Sequence, residues 1–318
     1  MTPPRVPYSD GMTPLRLGTR GSPLALWQAN HVADRLRPVL DPRPVVLVRI
    51  ETEGDRVQDR PLAAMGGYGV FTKAIQDALL DRRIDVAVHS LKDLPTIPVP
   101  GLALAAVPPR GPTGDAFVSH KHARFDELPD GAVVGTSSLR RRAQLLNRRR
   151  DLRVVDLRGN VETRLRKLRD EDLDAIVLAQ AGLLRLGLGD AVTDLLDPTW
   201  MLPAVGQGAI GLECRDDDEE TRHFVEAVND PGTWAAVRAE RAMLWGLGGG
   251  CLVPIGARTV VEGDVLTLRG AVLSPDGTRR IVDTHRGPTD QPLNVGQELA
   301  GRLLSAGARE ILQSGPGA

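Results

Sequence analysis

Aromatic side chains are scarce in this chain, at 3% of residues, and no stacking platform for bases is visible among them. The formal net charge is −1, so no overall basic field draws the chain to nucleic acid or to an anionic membrane surface. No apolar run approaches the roughly 18 residues that a membrane span requires. Cysteine is limited to Cys214 and Cys251. They lie far apart and match no metal spacing, which removes a disulfide framework and a cysteine-based metal site and points to a cytoplasmic protein with free thiols. Lysine stands only at Lys73, Lys92, Lys121 and Lys167, so almost all of the 40 cationic residues are arginine, the side chain that grips a carboxylate with two parallel hydrogen bonds. A glycine-rich phosphate loop with its lysine is also missing. Met1 to Pro14 is rich in proline without an apolar core, and is expected to be a disordered lead-in rather than a targeting segment.

What is present is a globular composition, 42% hydrophobic and 25% charged, over 318 residues, too long for one ordinary core. Short apolar runs alternate with amphipathic segments: strands at Leu15 to Thr19, Val45 to Ile50, Asp85 to Val88 and Leu102 to Val107, with helices at Leu24 to Leu36 and Val70 to Asp81. Phe71, Ile75 and Leu79 are placed on one face of the second helix. Pro108 to Gly114 is the clearest linker. A second strand–helix region follows, with strands at Ala132 to Gly135, Arg153 to Leu157 and Asp174 to Ala179, and helices at Leu139 to Asn147, at Val161 to Arg169 and around Arg185. The chain crosses back near Leu202-Pro203, and Ala209 to Cys214 forms another strand. This alternation predicts two doubly wound, mainly parallel α/β lobes joined by two crossings, with a hinged cleft. From Asp230 the pattern changes to a helix (Thr233 to Leu244), strands at Ile255 to Val260, Val265 to Leu273 and Arg280 to Thr284, and a final helix from Pro292 to Leu312, a small α+β domain. The expected boundaries are 15–110 with 204–228, then 111–203, then 229–318.

Several constellations carry chemistry. His89, Ser90, Lys92 and Asp93 stand where a buried strand runs out, and in open α/β sheets ligands sit beyond the carboxyl ends of strands; a solvated corner is the plain alternative. Ser22 with Pro23 starts a helix beside Arg20, which makes either a simple cap or an anion-binding corner. Thr136, Ser137 and Ser138 precede Arg140, Arg141 and Arg142 in a first helical turn. Cations there oppose the macrodipole, an arrangement most easily tolerated with an anion at that terminus. Arg158, Arg164 and Arg185 repeat the theme near other strand ends, and together they fit a ligand with several carboxylates better than a phosphate; a solvated basic face is the alternative. Gly248-Gly249-Gly250 precedes Cys251, which is either an attachment point or a small core residue.

These residues fall into motifs. Arg20-Gly21-Ser22-Pro23-Leu24-Ala25-Leu26-Trp27-Gln28-Ala29, Val88 to Pro95, Gly135 to Arg141, Leu157 to Val161, Leu202 to Gly208 and Gly249 to Gly256 resemble, in order and spacing, the porphobilinogen deaminases (hydroxymethylbilane synthases). The resemblance runs from about Leu15 to the last helix. It implies three domains, the first two resembling type II periplasmic binding proteins. It further implies a transferase that condenses four porphobilinogen molecules head to tail onto one covalent dipyrromethane cofactor, releasing hydroxymethylbilane and ammonia in haem and other tetrapyrrole synthesis. By the same resemblance Cys251 holds the cofactor through a thioether and Asp93 is the catalytic aspartate. Lys92, Ser90, Thr136, Ser138, Arg140 and Arg141 grip cofactor carboxylates. Arg20, Ser22, Gln28, Arg158, Arg164 and Arg185 surround the substrate, while Phe71, Asp55 and Asp59 lie near a mobile loop. No metal, nucleic acid or membrane partner is implied, and a monomer is expected. The sequence departs from many relatives at Ala64 and Tyr68, where lysines are common, which leaves the role of loop 54–69 open. The rival expectation is a two-lobed anion-binding protein without catalysis.

Overall fold

The chain enters on β1 (Leu15–Thr19) in a computed structural model that describes residues 12–52, 54, 69, 71–248 and 254–313. Ser22 accepts a hydrogen bond from the Ala25 amide (3.4 Å) and Pro23 takes the first helical position, so α1 (Pro23–Leu40) starts where its cap signal lies. It runs one turn beyond the expected end, because Leu40 repeats the four-residue spacing of Val32 and Leu36 and is buried in the same core. β2 (Val45–Arg49) follows. α2 (Lys73–Leu80) begins at Lys73 and buries Ile75 and Leu79. Phe71 therefore stands ahead of the helix and not on its apolar face, contrary to expectation. β3 (Val86–Ser90) reaches two residues further than expected and passes into a 3-10 turn, Leu91–Asp93. β4 (Leu102–Ala106) completes this part.

The next stretch opens with an unforeseen strand, β5 (Asp115–Val118), buried at every position. Its four residues are too few to show a period, and they lie directly behind a linker-like sequence. β6 (Val133–Gly135), α3 (Leu139–Arg148), β7 (Arg153–Val155), α4 (Val161–Asp170), β8 (Ala175–Ala179), α5 (Gln180–Arg185) and the two-residue β9 (Asp194–Leu195) follow. β10 (Ile210–Arg215) and α6 (Glu219–Glu226) come next, then α7 (Pro231–Gly246), β11 (Ile255–Glu262), β12 (Val265–Leu273) and β13 (Arg280–Pro288). The last helical stretch is not continuous. It comprises α8 (Pro292–Leu303), a π-helical turn and α9 (Arg309–Gln313), and Gly307 breaks it at a φ of +99°, a backbone state glycine enters without a Cβ clash.

Two units result: Met1–Arg110 with Ala209–Trp234, and Gly111–Gly208 with Ala235–Ala318. The sheet of the first has the order β2-β1-β3-β10-β4, with β1 parallel to β2 and β3, and β10 antiparallel to both its neighbours. The second unit repeats the pattern as β7-β6-β8-β5-β9, with β6 parallel to β7 and β8, and β5 antiparallel to its neighbours. In each sheet apolar cores form on both faces. In the first, α1 covers one face with Val32, Leu36 and Leu40, and α2 covers the other with Ile75 and Leu79. The fold is thus α/β with two doubly wound sheets plus a small α+β part. That part is the antiparallel sheet β11-β12-β13, which packs Leu266 and Leu268 against Met243 of α7 and Leu299 and Leu303 of α8. Within the same unit, its turn at Gly277 (φ +72°) lies on α3. A Cβ at Gly277 would stand 2.5 Å from the Ala143 carbonyl oxygen, and Asn147 donates to the Gly277 carbonyl at 2.8 Å.

Candidate active site

In the first sheet β1 is flanked by β2 on one side and β3 on the other, so the chain diverges at the carboxyl ends of β1 and β3, the place where open α/β sheets take ligands. Arg20 follows β1 there, and Lys92 and Asp93 follow β3. Strand alternation separates the two polar residues that end β3. Ser90 turns to the α1 side, where it exchanges hydrogen bonds with Gln28 (2.9 and 3.1 Å). His89 turns to the α2 side and is almost wholly buried. Its Nε2 lies 3.2 Å from Glu213 Oε2, while Gln76 donates to both Glu213 oxygens at 3.1 Å. His89 is therefore a satisfied core residue and leaves the strand-end group that the sequence suggested. The Arg20 guanidinium sits 4.2 Å from the centre of the Phe71 ring, a cation–π contact. Gly54 lies so close to this ring that a Cβ there would meet it at 2.2 Å. Asp93 is half-buried in its 3-10 turn, and its carboxylate has no hydrogen-bond or ion-pair partner among the described residues.

The second sheet repeats the divergence at β6, which is flanked by β7 and β8. Thr136 accepts from the Ser138 amide (3.3 Å), Ser138 caps α3 by accepting from the Arg141 amide (3.4 Å), and Ser137 ties the ends of β6 and β7 through Leu157 (2.9 and 3.0 Å). Arg140 and Arg141, each 5% exposed, share one carboxylate. Asp115 Oδ2 accepts from Arg140 Nη1 at 2.7 Å, and Oδ1 accepts from Arg141 Nε at 3.0 Å and Nη2 at 2.7 Å. The anion required at this helix terminus is thus supplied, for these two cations, by the chain itself. Arg142 donates to the Val154 carbonyl (3.0 Å). Beyond β7, Arg158 carries a buried Nη1 without a partner among the described residues. Arg164 donates to the Gly159 carbonyl (2.8 Å), and Arg185 to that of Gly208 (2.6 Å).

Asp115 was invisible to sequence reasoning. The one available signal was an acid opening an otherwise apolar run, Asp115-Ala116-Phe117-Val118. Burial pushes its carboxyl up, and the charges and hydrogen bonds of Arg140 and Arg141 together pull it well below the usual carboxylate range. Stability from this depressed group is present above the unfolded carboxylate value and is lost as pH falls towards the folded one. Removing one partner of a buried ion cluster strands the rest, at a cost of about 3–5 kcal/mol.

Residues 15–223 match the family model of the porphobilinogen deaminase dipyromethane cofactor binding domain, and residues 234–305 match that of the porphobilinogen deaminase C-terminal domain. The chain belongs to the porphobilinogen deaminase family. The porphobilinogen deaminase of Geobacter metallireducens is 52% identical over 94% of this chain and 93% of its own length, and that of Geobacter sulfurreducens is 51% identical over the same shares. Among solved structures, a periplasmic substrate-binding protein of an ABC transporter from Coxiella burnetii matches 71% of this chain and 96% of its own with a TM-score of 0.42 at 17% identity. As a porphobilinogen deaminase the chain is a transferase of tetrapyrrole synthesis with a dipyrromethane cofactor, and the reading as a non-catalytic anion binder falls away.

The donor set fits that cofactor, whose pyrroles carry acidic arms: Arg140 keeps an unspent Nε donor among the described residues. Cys251 and loop positions Asp55, Asp59, Ala64 and Tyr68 lie outside the described residues. The other cysteine, Cys214, is fully buried in the sheet core, and burial pushes its thiol up to about 11. At pH 8 it is therefore held almost wholly as the unreactive thiol. Native protein at pH 8 is therefore expected to leave Cys214 unlabelled by an aromatic disulfide reagent over minutes, with labelling released by urea. Rapid native labelling mapped to Cys214 would contradict the burial.

Proposed function

We propose that the described residues divide the porphobilinogen deaminase reaction as follows. Asp93 is the catalytic carboxylate. Lys92, Ser90, Thr136, Ser138, Arg140 and Arg141 bind the acidic arms of the dipyrromethane, which Cys251 holds covalently. Arg20, Ser22, Gln28, Arg158, Arg164 and Arg185 receive porphobilinogen, with Phe71 fixing Arg20 from behind. The observation that carries this reading is Asp93 itself, a half-buried carboxylate at the divergence of β1 and β3 with no partner among the described residues. A carboxylate left unspent there is available to the pyrrole N–H groups of a ligand. When bound, the dipyrromethane supplies a nucleophilic free α-carbon. Asp93 stabilises the positive charge that develops on porphobilinogen as ammonia departs, and accepts the proton displaced from the attacking position, which is carried off by the released ammonia as ammonium. Guanidinium forks hold the acetate and propionate arms and so fix ring orientation. The proposal extends to three domains with the boundaries drawn above, acting as a cytoplasmic monomer.

The test separates the two arginine groups. Arg140→Leu is expected to accumulate as apo-protein by intact mass, whereas Arg20→Leu keeps the cofactor and loses substrate grip. Hydrogen bonds to charged groups contribute about 1.5–3 kcal/mol each, so kcat/KM of Arg20→Leu should fall by at least about tenfold. Wild-type loading and kinetics in both variants would overturn the assignment.

A further inference from the structure

We infer that Asp115 is a positioning residue for cofactor capture: it holds Arg140 and Arg141 side by side at the start of α3 and leaves the three groups one net positive charge to offer the cofactor's carboxylates. This rests on the proposed role of the two arginines. Each guanidinium is pinned twice, once by a backbone carbonyl and once by one oxygen of Asp115. Arg140 Nη1 donates to the Leu202 carbonyl at 2.5 Å as well as to Asp115 Oδ2, and Arg141 Nη1 donates to the Val177 carbonyl at 3.0 Å while its Nε and Nη2 hold Asp115 Oδ1. Asp115 is held in turn. It opens β5, a strand paired on both sides, and its Oδ1 accepts from Gln207 Nε2 at 3.0 Å. Without the carboxylate, two like charges on successive residues would be buried together in a first helical turn, against the macrodipole. The capacity so arranged is not used up, because Arg140 Nε is buried with no partner among the described residues.

A merely structural ion cluster would affect how much protein folds, and not whether folded protein carries the cofactor. The experiment therefore compares intact masses of purified, folded protein, with circular dichroism and thermal midpoint recorded alongside. Wild type, Asp115→Asn, Arg140→Leu and Arg141→Leu are measured, with Asp115→Ser as a second variant that leaves room for water between the guanidinium groups. The loaded fraction of folded Asp115→Asn or Asp115→Ser is expected to fall by about tenfold or more, the size typical of partners that orient metal-holding side chains. The arginine variants should be apo. A lowered midpoint with full loading in the Asp115 variants, while the arginine variants are apo, overturns the role given to Asp115 and leaves that of the arginines standing. Full loading in Arg140→Leu and Arg141→Leu overturns the arginine reading, and with it this inference, whatever the Asp115 variants do.

Discussion

Cys251→Ser is expected to fold, to lack the mass of the two-pyrrole cofactor and to turn over porphobilinogen at no more than background, whereas Cys214→Ser keeps both cofactor and activity. Forming a thioether to a pyrrole needs a thiolate or a thiol that readily becomes one, and a serine hydroxyl offers neither. The two cysteines are not interchangeable. Cys214 is fully buried among Val86, Val88 and Leu212, and its thiol is pushed up to about 11, so it is neither ionised nor reachable near neutral pH. That leaves Cys251, the residue proposed above to hold the cofactor. Intact mass before and after each substitution decides the matter, and acidic dimethylaminobenzaldehyde should colour denatured wild type and Cys214→Ser but not Cys251→Ser. An adduct mapped to Cys214, or a loaded and active Cys251→Ser, would defeat the assignment.

Features fixed by neighbours in sequence were legible from residues alone. Ser22-Pro23 and Ser138 announce helix starts because a cap is made within three positions, and the cations at Arg140 and Arg141 announce an anion because a helix terminus has a sign. Where the anion comes from was not legible. Asp115 lies 25 residues from Arg140 along the chain, and only the antiparallel placement of β5 beside β8 brings it there. His89 failed for the same reason. Its partner Glu213 is 124 residues away, and nothing near His89 told whether the strand ended before it or after Ser90. Successive strand residues face opposite sides of the sheet, so once the strand continues through Ser90, His89 falls on the core side and Ser90 on the other. Phe71 was misplaced by a helix start read three residues too early, since a hydrophobic period extends naturally over an apolar residue that precedes the helix.

Asp93→Asn is expected to fold and to carry its cofactor, yet to turn over at least about 10²-fold more slowly than wild type. The substitution keeps shape and hydrogen-bonding capacity and removes only the charge and the basicity. No described residue depends on the Asp93 carboxylate for a hydrogen bond or an ion pair, so neutralising it strands none of them and folding should be spared. Asp115 provides the contrast, because its removal leaves two buried guanidinium groups without their anion and acts on the protein before any chemistry begins. For Asp93 the loss falls on the transition state. General acid–base assistance typically supplies about 10²–10⁴-fold, and the carboxylate's attraction for the cation formed on ammonia loss adds to that. Asp93→Glu keeps the charge at a displaced position and should retain part of the rate. Single-turnover and steady-state rates, normalised to cofactor content by mass, give the answer. Turnover of loaded Asp93→Asn within a few-fold of wild type would assign the catalytic carboxylate elsewhere.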